Sequence, residues 1–84
     1  MTKFVYFSWV RERIGTAEKH IALPETVRTV DDLIGFLREH DEAHASVMEH
    51  DKVIRFAVDQ EAVERDDAIV GAREIAIFPP MTGG

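Results

Sequence analysis

Apolar positions alternate along the start of the chain. Phe4, Tyr6 and Ser8 fall on one side and Val5, Phe7 and Trp9 on the other, so Lys3 to Trp9 reads as an aromatic-rich strand with both faces largely apolar. Gly15 supplies a turn. Ala17 to Leu23 then carries Lys19, Ile21 and Leu23 at spacing two until Pro24 stops it, because proline has no amide hydrogen to give a neighbouring strand. The opening is predicted to be a loose hairpin.

The period changes at Thr29. Val30, Leu33, Ile34 and Leu37 stand at i, i+3, i+4 and i+7, with Thr29 as N-cap and Asp32 three residues on, a weaker form of the capping box. This is the main helix, over about 29 to 39. Gly35 inside it costs about 1 kcal/mol relative to alanine, so the helix depends on burying its apolar stripe. A short helical turn is expected around Ala43 to Met48.

Period two returns at Val53 to Val58, where Ile54, Phe56 and Val58 share one face and Val53, Arg55 and Ala57 the other. Gln60 to Val63 reads as a further short strand. Asp66, Asp67 and Gly71 mark loop, and Glu74 to Phe78 is the closing strand, with Ile75 and Ile77 inward and Ala76 and Phe78 outward. Pro79-Pro80 ends the pairing.

Strand, strand, helix, strand, short strand, strand leaves one amphipathic helix to cover one face of a mixed sheet. The predicted fold is α+β, a ubiquitin-like β-grasp over residues 1–78, followed by an extended, flexible tail over 79–84. At 84 residues the chain has room for one core. A domain of this size hides only about 60 to 65 % of its unfolded surface, too little to enclose a deep pocket as well, which argues against an enzyme acting alone. Its 45 % hydrophobic content is too high for disorder despite 31 % charged residues.

With no cysteine, the chain has no disulfide framework, thiolate metal site or cysteine nucleophile, and a reducing cytoplasm is the expected location. Met1-Thr2-Lys3-Phe4 runs straight into a strand without the apolar run of a leader or membrane span. The net charge of -6 is concentrated between residues 31 and 67, where twelve acids face Arg38, Lys52, Arg55 and Arg65. Nucleic acid is thereby disfavoured as a partner, since phosphate needs the opposite balance. The acidic stretch reads as a solvated flank.

The last six residues, Pro79-Pro80-Met81-Thr82-Gly83-Gly84, carry no side-chain charge and no strand pattern. Two prolines start such a segment stiffly, and six residues reach roughly 20 Å at about 3.3 to 3.6 Å each. Glycine lacks a Cβ and passes where other residues cannot. A tail of this kind can reach into another protein's active site, with the carboxylate of Gly84 as the reactive group delivered. A carboxylate is a poor electrophile, so it needs activation as an acyl-adenylate, and this chain has no phosphate-binding loop to do it. The bland alternative is a frayed terminus.

The run Ile77-Phe78-Pro79-Pro80-Met81-Thr82-Gly83-Gly84 resembles the C-terminus of molybdopterin synthase small subunits. Phe7, Val10-Arg11-Glu12 and Ile14-Gly15 are similar to that family's first strand and following loop, and Ala57-Val58-Asp59-Gln60 to its central strand exit. The resemblance covers nearly the whole chain. It implies a sulfur carrier with no bound cofactor, whose Gly84 is adenylated with ATP by a partner related to ubiquitin-activating enzymes and converted to a thiocarboxylate. Sulfur would then pass to a pterin precursor in the large synthase subunit, which holds the catalytic side chains in a heterotetramer. It further implies that Phe7, Ala62 and Phe78 meet the partners. The family commonly has Asn where Asp59 stands and an Asp-Gly-Asp-like turn where Gly71-Ala72-Arg73 stands.

His40, His44 and His50 suggest metal ligation by their spacing, but surface histidines in a polar segment account for them, and no metal site is assigned. Asp31-Asp32 and Asp66-Asp67 read as a helix start and a loop. Trp9 suits burial and an interface equally. A thiazole-pathway sulfur carrier, a ubiquitin-like protein modifier and a plain interaction module share this fold and remain open.

Overall fold

The computed structural model describes residues 1–80. The elements run β1 (Thr2–Tyr6), α1 (Ser8–Ile14), β2 (Glu18–Ile21), α2 (Val30–His40), α3 (Glu42–Met48), β3 (Arg55–Val58), β4 (Glu61–Val63) and β5 (Glu74–Phe78). The strands form one sheet in the order β2-β1-β5-β3-β4. β1 and β5 pair in parallel at its centre, and every other pairing is antiparallel. This mixed sheet, covered on one face by α2 and its neighbours, is the β-grasp architecture.

The first strand is shorter than the alternation predicts. Phe7 is still extended, but Ser8 takes a φ of +53° and turns the chain off the sheet into α1. Val10 and Ile14 lie four apart on that helix and are both buried, a helical spacing that the Val5, Phe7, Trp9 alternation hid. Gly15, at φ +92°, closes the helix by donating its amide to the Arg11 carbonyl. The loose hairpin is therefore a strand, a two-turn helix and a strand.

α2 forms where its stripe predicts. Thr29 Oγ1 accepts from the Asp32 amide at 3.1 Å while Asp32 Oδ2 accepts from the Thr29 amide at 3.3 Å, a complete capping box built with aspartate. Its buried stripe is Val30, Leu33, Ile34 and Leu37. The weak turn expected near Ala43 is a full helix, because Asp41 caps it by accepting the His44 amide at 2.7 Å.

β3 starts at Arg55, two residues later than predicted, because the Val53 and Ile54 amides both donate to the His50 carbonyl and belong to a turn. Parity is unaffected: Ile54 and Phe56 are buried, Val53 is exposed. The two-residue turn from β3 into β4 puts Asp59 at φ +48° and Gln60 at φ +72°, both left-handed as such hairpins need. Asp59 tolerates this because its carboxylate accepts the Arg73 and Glu74 amides, each at 3.0 Å. Aspartate thus supplies here the turn geometry for which the resembling family commonly uses asparagine.

Candidate functional site

The sheet has one face against the helices and one turned away from them. Phe4, Tyr6, Phe56, Ile75 and Ile77 point to the core and are buried. On the opposite face, Val5 pairs with Ala76, Ala76 with Ala57, and Ala57 with Ala62, giving a row of small apolar side chains across four strands. At one end of this face Lys3 lies 3.9 Å from both Glu18 and Glu74. At the other end the chain leaves β5 as Phe78-Pro79-Pro80.

The three residues named as partner contacts all lie on this outward face. Ala62 is exposed in β4, Phe78 is half-buried opposite Arg55, and Phe7 is 49 % exposed at the end of β1. The Phe7 amide donates to the Ile77 carbonyl at 3.2 Å, so Phe7 is tied to the residue just before Phe78. Phe7 and Phe78 therefore flank the root of the tail. Pro79 and Pro80 are half-buried. Met81, Thr82, Gly83 and Gly84, the rest of the predicted tail, lie outside the described residues. Trp9 falls between its two expectations: half-buried, it packs edge-on against His50 with Arg13 over its ring at 5.4 Å.

His44 is not a surface histidine. It is fully buried on the inner side of α3, with Nε2 2.7 Å from the Tyr6 hydroxyl and Nδ1 2.8 Å from Asp41 Oδ1. The Asp41 carboxylate only accepts, so Nδ1 carries the hydrogen; Nε2 then holds the lone pair and the Tyr6 hydroxyl donates to it. His44, Val47 and Met48 form the buried stripe of α3 at i, i+3 and i+4, and that spacing in the sequence was the signal that His44 points inward.

Burial pushes the His44 ring below the usual histidine value, against the opposing pull of Asp41. Burial also raises the Tyr6 hydroxyl, assisted by the Asp41 charge. Asp41 itself is pushed up by burial, but the His44 amide and ring and the Lys19 charge outweigh that and hold it below the usual carboxylate range.

His40, Asp41 and His44 bring their ligand atoms within 4.8 Å of one another, the one such cluster among the described residues. In the His44 tautomer fixed above, one ring nitrogen donates to Asp41 and the other accepts from Tyr6, which leaves no lone pair for a metal ion. Asp31, Asp32 and Asp67 are structural. Asp32 closes its capping box, Asp31 binds the Arg65 guanidinium at 2.6 Å, and Asp67 Oδ2 accepts the Glu64 amide at 2.7 Å.

The ThiS family model matches residues 4–84, from the middle of β1 through the glycine pair. The chain belongs to the ThiS family. Over the full length of both chains it is 33 % identical to the molybdopterin synthase sulfur carrier subunit of Escherichia coli. It is 37 % identical to that of Chlamydomonas reinhardtii, over 98 % of this chain and 96 % of the other. A solved Pyrococcus furiosus protein described as a candidate molybdopterin converting factor, subunit 1, superposes with a TM-score of 0.74 at 27 % identity, covering 95 % of this chain and 97 % of the other. The match to the Escherichia coli sulfur carrier subunit thus spans both chains from end to end.

Proposed function

We propose that the chain is the sulfur carrier subunit of a molybdopterin synthase. The observation that carries this is the match, over the full length of both chains, to proteins of that name. The Gly84 carboxylate attacks the α-phosphate of ATP in an activating enzyme of the ubiquitin-activating kind, releasing pyrophosphate and leaving an acyl-adenylate. Sulfur at the sulfide level, written as hydrosulfide, then attacks the acyl carbon and displaces AMP, leaving a thiocarboxylate at the C-terminus. In the large subunit this sulfur passes to the pterin precursor, with side chains of that subunit as the catalysts.

Here the role of the chain's own residues is to bind and aim. Phe7, Ala62 and Phe78 meet the partner, and the aromatic pair seats the tail root at the mouth of its tunnel. Pro79 and Pro80 start the tail stiffly, and Met81, Thr82 and Gly83 thread it. ATP belongs to the activating enzyme, and no cofactor is assigned to this chain. A cytoplasmic location suits chemistry on an unprotected thiocarboxylate. No helix among the described residues is long and apolar enough to cross a membrane.

The test is intact mass spectrometry of the chain recovered from cells that contain the sulfur-transfer machinery. A mass gain equal to exchange of one oxygen for sulfur, lost on incubation with large subunit and pterin precursor, is the expected result. Sulfur lost only to a thiazole acceptor would assign the other carrier branch, and a ladder of lysine conjugates would make the chain a protein modifier.

A further inference from the structure

We propose that Tyr6, His44 and Asp41 form an acid-sensitive latch that positions the root of the tail. Tyr6 is the last residue of β1 and pairs with Ile77 in β5, and the next residue, Phe7, makes the final hydrogen bond between these strands. The Tyr6 hydroxyl reaches across the core to His44, 38 positions away in sequence, and Asp41 holds the far side of the ring. One buried hydrogen bond therefore joins α3 to the strand end from which Phe7 and Phe78 are displayed. His44 is a positioning residue acting through Tyr6.

The charged and titratable groups facing His44 come from several elements. Tyr6 lies on β1, Lys19 on β2 with Nζ 4.0 Å from Asp41 Oδ2, and His40 at the end of α2 with its ring 5.5 Å from that of His44. α1 meets α3 elsewhere, through Arg13 on Ser46, and Trp9 packs on His50 in the turn after α3. With His44 neutral, both ring nitrogens and the Tyr6 hydroxyl are satisfied. Protonation puts a hydrogen on Nε2, where the hydroxyl had been donating. The hydroxyl must then turn to accept, and its own hydrogen loses the acceptor in a side chain only 1 % exposed. Asp41 favours the charged ring, but burial outweighs it, so protonation weakens the latch.

The sign follows from that balance. A folded-state value lowered from the usual 6.5 means full support above about pH 6.5, lost as pH falls through the folded value. The latch depends on the proposed carrier function only for what the tail is for, and it is tested on the chain alone.

Amide hydrogen exchange, corrected for the intrinsic rate, is compared at Phe7 and at Leu37 in the middle of α2 from about pH 7.5 to about pH 4.5, a range that runs well below the ordinary histidine value. Phe7 is expected to lose about tenfold more protection than Leu37, the worth of one hydrogen bond in a local opening equilibrium. His44→Gln keeps an acceptor for Tyr6 and does not titrate, so the excess should vanish in it. Tyr6→Phe should show a pH-independent excess. Because either variant could misfold, the ring nitrogens of His44 are also titrated by NMR in the unmodified chain, and their midpoint should coincide with that of the Phe7 excess. Equal losses at Phe7 and Leu37, an excess that survives in His44→Gln, or two unrelated midpoints would each overturn the latch while leaving the sulfur-carrier proposal standing.

Discussion

Phe78 belongs to both the sheet and the surface. Its strand neighbours Ile75 and Ile77 are fully buried, while Phe78 is half-buried on the outward face opposite Arg55. Phe78→Ala is expected to cost well under the roughly 3 to 5 kcal/mol of a core phenylalanine truncation. It should weaken binding to the large subunit by about 2 kcal/mol or more, as an interface anchor does. Urea unfolding and a binding titration on the same variant check this; a full core-sized loss of stability would place Phe78 in the core. Gly83→Val should act in the opposite register, leaving unfolding within about 0.5 kcal/mol of the parent while stopping adenylation or sulfur transfer. A β-branched side chain restricts the backbone and has a Cβ to fit through a passage made for glycine. Adenylation and transfer at the parent rate would make the glycine pair a bystander.

At the level of elements, two glycines with the same open surroundings should respond in opposite ways. A Cβ built on either Gly15 or Gly35 meets nothing within 4 Å, so packing decides neither case. Gly35 lies inside α2, and Gly35→Ala should stabilise the chain by about 0.5 to 1 kcal/mol through lower unfolded-state entropy. Gly15 sits at φ +92° and closes α1, so Gly15→Ala should destabilise by about 1 to 2 kcal/mol, the cost of the left-handed region for an L-residue. Chemical denaturation of both variants reads the two signs directly. α1 also marks the limit of period counting. Val5, Phe7 and Trp9 alternate as a strand would, while Val10 and Ile14 lie four apart as a helix requires, and the change of period occurs within a few residues around Ser8.

At the scale of the whole molecule, stability should fall in two steps as acid is added. His44 contributes above about pH 6.5 and loses that contribution as pH falls through its lowered folded value. Asp32, held low first by the Arg28 amide and then by Thr29, and Asp41 follow below the usual 3.8. The urea midpoint measured across this range should decline from near neutrality, and a midpoint flat down to about pH 4.5 would remove the His44 step. Sequence by itself determined what depends on local period and chain chemistry. The α2 stripe with its Thr29 cap, the inward Ile75 and Ile77, the outward Phe78 and the Pro79-Pro80 stop are all legible because each follows from spacing or from a residue's own backbone limits. Only the tertiary structure decided that His44 bonds to Tyr6, 38 positions away, although its spacing with Val47 and Met48 already pointed it inward. The same holds for the apolar row through Val5, Ala76, Ala57 and Ala62, because strand order and register arise from closing the core and not from any one strand's pattern.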